Sequence, residues 1–284
     1  MRVAIIGATG QLGSDLVKVF GSEAIPLSHA DIEVKDLSSC IKALEEHSPE
    51  VVINCAAYVR VDDAEDEAEE AFAVNAVGAK NVALACERFN ATNVYISTDY
   101  VFDGTKGKPY VESDLPNPIN TYGLSKYAGE IFTRNYYSKY YIIRVSSLYG
   151  VKGARGKGGN FVETMIQKAK NGEEIRVVDD MIMSPTYTRD AAEIIYNILE
   201  RKLTYGVYHC SNSGYCSWYE FAKKIFELLS LEVDIIPIKA SELTYKAKRP
   251  KISAIRSEKL HKYGLQVPYW ITGLKNYLSE KHYL

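Results

Sequence analysis

The chain has 284 residues, of which 46% are hydrophobic and 25% charged, an ordinary composition for a folded globular protein. Its 34 basic and 36 acidic residues give a net charge of -2, so no basic excess favours binding to nucleic acid or to anionic lipid. No apolar run reaches the ~18 residues that a membrane-spanning helix needs. The residues before Gly7 are too few for a signal peptide, and we expect a cytoplasmic protein with no membrane or nucleic-acid partner.

Cysteine and histidine spacing gives no sign of a metal centre. The five cysteines are scattered and never spaced as Cys-x-x-Cys, and the five histidines form no His-x-x-x-His pair. We therefore expect reduced, mostly buried thiols and no metal site, although the sequence leaves open whether a metal ion supports the structure.

The first half of the chain alternates short apolar runs with helical patterns. Strands are predicted at 3–6, 24–27, 51–53, 93–97 and 140–145, and helices at 12–20, 66–89 and 121–135, with a further helix from an N-cap at Ser38 to His47. Strands that are apolar throughout are typical of a parallel sheet covered on both faces. We therefore predict an α/β fold with a doubly wound, parallel, Rossmann-type sheet.

A glycine-rich turn, Gly7-Ala8-Thr9-Gly10-Gln11-Leu12-Gly13, lies between the first strand and its helix. Glycines there allow a sharp turn and close approach of the backbone to a pyrophosphate at the helix N-terminus, so the turn predicts dinucleotide binding. The spacing is G-x-x-G-x-x-G rather than G-x-G-x-x-G. The segment from Ser28 to Val34 contains carboxylates, not clearly at the strand end, and no arginine, so the choice between NADH and NADPH stays open.

The pattern changes after Gly150. The Gly- and Lys-rich segment 151–159 is expected to be a mobile loop. Beyond it we predict helices at 161–170, 189–201, 217–229 and 271–280 and short strands at 175–178, 207–210 and 233–237. The sequence thus predicts an NAD(P)-binding Rossmann domain over 1–150 and a smaller, mainly substrate-binding α/β part over 151–284.

A tyrosine and a lysine four residues apart, Tyr122 and Lys126, lie on one face of the helix after the fourth strand. A nearby cation lowers the pKa of a phenol, and such a tyrosine exchanges a proton with a carbonyl or alcohol oxygen. Two further pairs, Tyr219/Lys223 and Tyr277/Lys281, have this spacing, and we expect those to be surface helices, because 22 tyrosines also produce such pairs by chance. Only the first pair has hydroxyl residues upstream at a strand end, Ser97 and Thr98.

These features together resemble the extended short-chain dehydrogenase/reductase superfamily, and finer motifs narrow the resemblance. Residues 97–104, Ser-Thr-Asp-Tyr-Val-Phe-Asp-Gly, resemble the S-T-D-Y-V-F-x-G segment of the dTDP-4-dehydrorhamnose reductase family. Residues 56–65, Ala-Ala-Tyr-Val-Arg-Val-Asp-Asp-Ala-Glu, are similar to its A-A-Y-T-x-V-D-x-A-E loop. Residues 184–186 and 249–253 look like its later x-P-T and R-P-x-N-S signatures, so the resemblance covers essentially the whole chain.

The resemblance implies an NAD(P)H-dependent reduction of the C4 ketone of dTDP-4-dehydro-6-deoxy-L-mannose to dTDP-L-rhamnose, with a nucleotide sugar as the small-molecule partner and NADPH or NADH as cofactor. The implied catalytic residues are Thr98, Tyr122 and Lys126. The residues implied to bind the cofactor are Gly7, Thr9, Gly10, Gln11, Leu12, Glu33, Val34, Ala56, Ala57 and Tyr58, with Tyr122 and Lys126. Those implied to bind the substrate are Val61, Thr98, Asp99 and Tyr100.

Four positions depart from the family pattern. Ser147 stands where the family often has tryptophan, Met181 and Met183 replace the glutamine and glycine of D-Q-x-G-x-P-T, and Ile252 replaces an asparagine. We expect all four in the sugar-facing half, which leaves the particular sugar and nucleotide open. The acidic run from Asp62 to Glu70 is expected to be a solvated helix start rather than a metal site.

Three alternatives remain at this stage. The first is the reductase. The second is another nucleotide-sugar epimerase or dehydratase on the same scaffold; a dehydratase needs acid and base carboxylates beside the triad hydroxyl, and position 100 is tyrosine after Asp99. The third is a non-catalytic protein resembling the regulatory β subunit of methionine adenosyltransferase. The oligomeric state is open, with a homodimer as one alternative.

Overall fold

A computed structural model describes residues 1–153 and 159–284. Its helices are α1 Gln11–Phe20, α2 Leu37–His47, α3 Ala68–Phe72, α4 Gly78–Phe89, α5 Thr121–Tyr136, α6 Phe161–Lys170, α7 Thr188–Glu200, α8 Trp218–Leu228, α9 Glu258–Lys262 and α10 Trp270–Glu280. Its strands are β1 Val3–Ile6, β2 Ala24–Leu27, β3 Val51–Asn54, β4 Thr92–Thr98, β5 Tyr140–Val145, β6 Leu148–Tyr149, β7 Ile175–Val178, β8 Ile182–Met183, β9 Thr186–Tyr187, β10 Gly206–His209, β11 Cys216–Ser217 and β12 Ile235–Ile238. Most of segment 151–159, which we expected to be a mobile loop, lies outside the described residues.

Six strands form the main sheet in the order β10-β5-β4-β3-β1-β2, and all pairs are parallel. The inner strands β1 and β3 are buried along their whole length because helices cover both faces. One core joins α1 and α7 to the sheet, and a second core on the opposite face joins α2 and α4. The predicted doubly wound α/β class is therefore confirmed.

The second half of the chain contributes to two layers. Strand β10 pairs with β5, so it extends the main sheet, and α7 packs against α1 beneath that sheet. Helix α9 packs against β10 of the same sheet. Helices α6, α8 and α10 enclose a separate core, with three two-stranded sheets beside them among the described residues. The division at residue 150 into two folding domains stays a prediction. Residues 188–209, which that division assigns to the second part, pack with the main sheet and its helix α1.

The helix predicted at 66–89 is interrupted. A π-helical turn, Ala73–Val77, separates α3 from α4 and directs Asn75 inward. The Asn75 side chain accepts from the Tyr58 backbone N–H at 2.9 Å and donates to the Tyr58 carbonyl oxygen at 3.1 Å. A π-helical turn holds one more residue than an α-helical turn, and here it allows the contact between Asn75 and Tyr58. Because that contact joins residues distant in sequence, apolar periodicity along the helix does not predict the turn.

The start of α2 also differs from the sequence expectation. Asp36, not Ser38, caps this helix, and its carboxylate accepts from the Ser38 backbone N–H at 2.9 Å. The prediction of Ser38 as the N-cap was wrong because both residues are good caps two positions apart. In the part of the chain that the structure describes, no helix is long and apolar enough to cross a membrane.

Candidate active site

A cavity of about 490 Å³ opens at the carboxyl ends of the central strands, the edge where parallel α/β sheets bind ligands. Its walls come from the glycine turn, from the ends of β3, β4 and β5, from α5, and from the starts of α6 and α8. The cavity therefore brings together segments that are more than 200 residues apart in sequence.

The glycine turn is shaped for close approach of a ligand. Gly7 has a φ of +76°, a conformation that favours glycine, and a Cβ on Gly13 would lie 2.2 Å from the Gly7 carbonyl oxygen. Gly10 caps α1 without a side-chain hydrogen bond, so the first N–H groups of the helix are left for an anion. The buried Gln11 Oε1 has no partner among the described residues. The glycine turn and the unpaired N–H groups of α1 fit the pyrophosphate of a dinucleotide, whereas the Gln11 oxygen is an acceptor and would take a donor from a ligand.

Substituting Gly13 with alanine tests this construction. Because the added methyl would collide with main-chain atoms of Gly7 and Ala8, the turn and α1 must move apart. We expect cofactor affinity to fall at least ~10-fold and stability to fall by about 1–3 kcal/mol, as for other overpacked sites. Nicotinamide cofactor titration by fluorescence and urea unfolding measure the two effects, and an unchanged dissociation constant in a folded variant would contradict the role given to this turn.

The predicted catalytic pair, Tyr122 and Lys126, lies on α5, which packs closely against the end of β4. Asn120 caps α5 through the Gly123 backbone N–H at 2.7 Å. A Cβ on Gly123 would lie 2.2 Å from the Tyr100 carbonyl oxygen, so only glycine allows this approach. The first turn of α5 thereby lines the cavity beside Thr98, and Tyr122 and Lys126 both face that cavity.

Burial controls the acidity of both groups. Burial raises the pKa of Tyr122 to about 12, against a lowering by the Thr98 hydroxyl. Burial likewise lowers the pKa of Lys126 to about 7, and its Nζ donates to the Ile96 carbonyl oxygen at 2.6 Å. The expectation that the ammonium lowers the pKa of Tyr122 was wrong, because Lys126 is not among the groups that shift it. At neutral pH the phenol keeps its proton and can act as an acid.

The four residues predicted to bind substrate, Val61, Thr98, Asp99 and Tyr100, all line the cavity. The Thr98 hydroxyl accepts from the Tyr100 backbone N–H at 3.2 Å and lies 3.1 Å from Asp99 Oδ1. The Tyr100 and Tyr122 rings meet edge to face, with centroids 6.0 Å apart. The hydroxyl, the phenol and the carboxylate therefore form one connected group.

The residues predicted to bind the cofactor divide into two sets. Those lining the cavity are Gly7, Gly10, Gln11, Leu12, Ala57, Tyr122 and Lys126. Those outside its lining are Thr9, Glu33, Val34, Ala56 and Tyr58. The Val34 side chain is part of the core under α4, and the Tyr58 hydroxyl donates to Glu67, so any contact that these two make with the cofactor involves other atoms. Their assignment stays a prediction.

The sequence patterns did not predict that aromatic residues of the second half of the chain line the cavity. Trp218 and Phe161 pack with ring centroids 4.7 Å apart, and Phe221 stacks behind Phe161. The signal for Trp218 was present, because Ser217 and Glu220 form a capping box that starts α8 at this tryptophan. Its contribution to the cavity depends on the fold of the second half of the chain.

Comparison with known proteins places this site in a family. The model of the RmlD substrate binding domain matches residues 1–283. The spore coat polysaccharide biosynthesis protein SpsK of Bacillus subtilis is 39% identical, covering 99% of this chain and 98% of that protein. A dTDP-4-dehydrorhamnose reductase of Aggregatibacter actinomycetemcomitans is 35% identical over 97% of each chain. The chain belongs to the dTDP-4-dehydrorhamnose reductase family.

A solved member of this reductase family has the same fold. The dTDP-4-dehydrorhamnose reductase of Bacillus anthracis, in complex with NADP, superposes with a TM-score of 0.93 at 43% identity, covering 98% of this chain and 99% of that one. The family resemblance drawn from the motifs at 97–104 and 56–65 is therefore confirmed.

Three of the four departures from the family pattern lie away from the cavity. Met181 and Met183 are buried in hydrophobic clusters, and Ile252 forms a bridge with Ile182. Only Ser147 lines the cavity, where it adopts a left-handed conformation with φ of +44°. We expected all four in the sugar-facing half of the protein, and that placement stays a prediction.

Two other expectations are corrected by the contacts. Asp62 is not simply solvated but pairs with Arg249 at 2.7 Å, and Glu65 accepts from the Thr121 hydroxyl and backbone N–H. Tyr277 is fully buried rather than on a surface helix, because its hydroxyl bonds Asn160 and Glu163. All five cysteines are free thiols, and no group of three potential ligands is arranged for a metal among the described residues.

Proposed function

We propose that this protein reduces the C4 ketone of dTDP-4-dehydro-6-deoxy-L-mannose to dTDP-L-rhamnose with NADPH or NADH. The observation that carries the proposal is the convergence of the glycine turn with Thr98, Tyr122 and Lys126 on one cavity. The family to which the chain belongs, and the NADP-bound relative from Bacillus anthracis, support this substrate and cofactor.

The cofactor supplies a hydride to C4 when it is bound. The residues that would hold it are Gly7, Gly10, Gln11 and Leu12 at the pyrophosphate and Lys126 at the nicotinamide ribose. Tyr122 donates its proton to the carbonyl oxygen as negative charge develops there, and the Thr98 hydroxyl is the second donor. The Lys126 amine is fixed by the Ile96 carbonyl oxygen, so it is already oriented when the cofactor arrives.

Oxidation of NADPH and NADH with the dTDP-linked 4-ketose tests the proposal. We expect substrate-dependent loss of the nicotinamide absorbance and formation of dTDP-L-rhamnose. A panel of other nucleotide-linked 4-ketoses tests the alternative of a different sugar. Tight cofactor binding without oxidation of any member of the panel would favour the non-catalytic alternative.

The Asp62–Arg249 pair is expected to shape the sugar side of the site. The Arg249 guanidinium makes two hydrogen bonds to Asp62, at 2.9 and 2.7 Å, and two backbone N–H groups from Lys246 and Ala247 bind the same carboxylate. The carboxylate is one residue from Val61, which lines the cavity. The pair therefore fixes the loop after β3 to the C-terminal segment.

Replacing Arg249 with methionine should raise the KM for the nucleotide sugar several-fold, by about 1 kcal/mol or more of lost binding, with little change in the KM for the cofactor. Steady-state kinetics with each substrate varied in turn separates the two effects. The exposed Arg256, which pairs with Glu258 on the surface, offers a matched control as Arg256→Met. Equal changes in both KM values would contradict a role confined to the sugar side.

The homodimer and the cytoplasmic location stay predictions. Exposed apolar side chains on α3, on the π-helical turn and on α5 favour the dimer, since Phe72, Val77 and Leu124 are 37–47% exposed. Light scattering of the purified protein distinguishes a dimer from a monomer.

A further inference from the structure

Asp99 is a buried acid that is surrounded by hydroxyl groups. Its side chain is 3% exposed, its Oδ2 accepts from the Ser146 hydroxyl at 2.9 Å, and its Oδ1 lies 3.1 Å from the Thr98 hydroxyl. The Ser253 hydroxyl is a further hydrogen-bond donor to it. Asp99 is in none of the ion pairs found among the described residues. Hydroxyls accept as well as donate, so these partners accommodate the protonated acid as well as the carboxylate.

Two other aspartates, Asp62 and Asp103, show which partners keep a carboxylate ionised in this protein. Asp62 is held by the Arg249 guanidinium and by backbone N–H groups, which keep its pKa well below its usual range. Asp103 accepts from Tyr110, Thr105 and Asn117, and its pKa is also lowered. Both carboxylates are also better exposed to solvent than Asp99. The surroundings of Asp99 differ because it is buried and, within residues 1–153 and 159–284, no cation is paired with it.

We propose that Asp99 is a proton reservoir for the reduction, carrying a proton before turnover and passing it through the Thr98 hydroxyl to Tyr122. The inference rests on the proposed ketone reduction. Asp99 would then be the source of the proton that returns Tyr122 to its neutral form after each reduction. Asp99 acts through Thr98 and is therefore a positioning residue rather than a catalytic one.

The transfer balances as follows. C4 gains the hydride, and the carbonyl oxygen takes the Tyr122 proton as its π bond to carbon breaks. The phenolate takes the Thr98 hydroxyl proton, and Thr98 takes the proton of the Asp99 carboxylic acid. The products are the alcohol, neutral Tyr122, neutral Thr98 and an Asp99 carboxylate, which solvent reprotonates after release.

The acidities favour this direction. Burial raises the pKa of Asp99 to about 6, while hydrogen bonds from Ser253, Ser146 and Thr98 lower it. Because the pKa of Tyr122 is about 12, proton transfer from Asp99 to a Tyr122 phenolate is strongly downhill. The titratable groups that feel the Asp99 charge are Tyr122 on α5 and Tyr100 on the turn after β4. Both tyrosines are neutral at neutral pH because their pKa values are raised, so neither adds a negative charge that would shift the pKa of Asp99.

The pH dependence of the single-turnover rate tests the proposal. For the wild-type enzyme we expect the rate to rise as the pH falls through about 6, with a dependence on one proton. Asp99→Asn should remove this dependence and slow the step on the order of 10-fold to 100-fold, with cofactor affinity unchanged. Ser253→Ala removes a hydrogen bond that lowers the pKa of Asp99, so it should move the midpoint to higher pH. Asp103→Asn is the matched control, with the midpoint unchanged.

A second readout does not depend on turnover. Carbon-13 NMR of aspartate-labelled protein, with Asp99→Asn identifying the resonance, reports the protonation of Asp99 directly. We expect a titration near pH 6 in the wild-type protein and at higher pH in Ser253→Ala. An Asp99 that stays ionised down to its ordinary range near 4, or an Asp99→Asn enzyme that keeps the wild-type pH profile, would overturn the proposal. If no 4-ketose is reduced, the proposed function fails, and the NMR titration still decides the protonation of Asp99.

Discussion

Tyr122→Phe is expected to lower kcat by about 100-fold or more, the usual contribution of one positioned general acid. Burial raises the pKa of Tyr122 to about 12, so the phenol holds its proton at neutral pH, and giving that proton up leaves a phenolate rather than the alkoxide that Thr98 would leave. Phenylalanine keeps the ring and its edge-to-face contact with Tyr100, so the cavity should keep its shape. Steady-state kinetics and cofactor titration by fluorescence measure the loss of turnover and the expected retention of binding.

Tyr219→Phe is the matched control for that result. Tyr219 also precedes a lysine by four residues, but it lies on α8 and packs against the second core, outside the lining of the cavity. Its replacement should leave turnover unchanged. Near-normal turnover of Tyr122→Phe, or an equal loss in both variants, would contradict the assignment of Tyr122 as the acid.

Glu130→Leu is expected to lower the free energy of unfolding by about 3–5 kcal/mol, because it leaves a buried arginine without its partner. Arg144 donates to the two Glu130 oxygens at 2.9 and 2.7 Å, and both side chains are under 5% exposed. The Ser97 hydroxyl donates to the same carboxylate at 2.6 Å. This cluster ties α5, one turn beyond Lys126, to β4 and β5, so the loss should also disorder the catalytic pair.

Urea unfolding compares this variant with two others. Glu130→Leu combined with Arg144→Met removes both charges and should cost less than the single change. Glu227→Gln breaks an exposed pair with Lys224 and should cost less than about 1 kcal/mol. A Glu130→Leu loss as small as that of Glu227→Gln would contradict the structural role of the buried pair.

The cofactor half of the protein could be predicted well from the sequence. Strands β1 and β5 lie at the predicted positions, because a buried parallel strand requires an uninterrupted apolar run. The edge strand β2 also lies where it was predicted, although only Leu27 in it is buried. The glycine turn and the Tyr122/Lys126 pair follow from local spacing, and both line the cavity. Local sequence is sufficient here because the chemistry depends on residues at a strand end or on the first turns of the next helix.

The second half of the chain could not be predicted in the same way. Trp218 and Phe161 reach the cavity from α8 and α6, and their position depends on packing between distant segments. The pairing of Asp62 with Arg249 joins residues 187 apart, and an acidic run gives no indication of which carboxylate will find a cation. The shifted acidities of Tyr122 and Lys126 likewise follow from burial, which spacing along one helix does not report.

The most direct test of the central claim follows the hydride. The protein is incubated with dTDP-4-dehydro-6-deoxy-L-mannose and cofactor deuterated at the nicotinamide C4, and the product is examined by NMR and mass spectrometry. We expect dTDP-L-rhamnose with one deuterium at the sugar C4, formed by the wild-type protein and at least ~100-fold more slowly by Tyr122→Phe. Product without deuterium at C4, or no product from a protein that binds the cofactor and the nucleotide sugar, would contradict it.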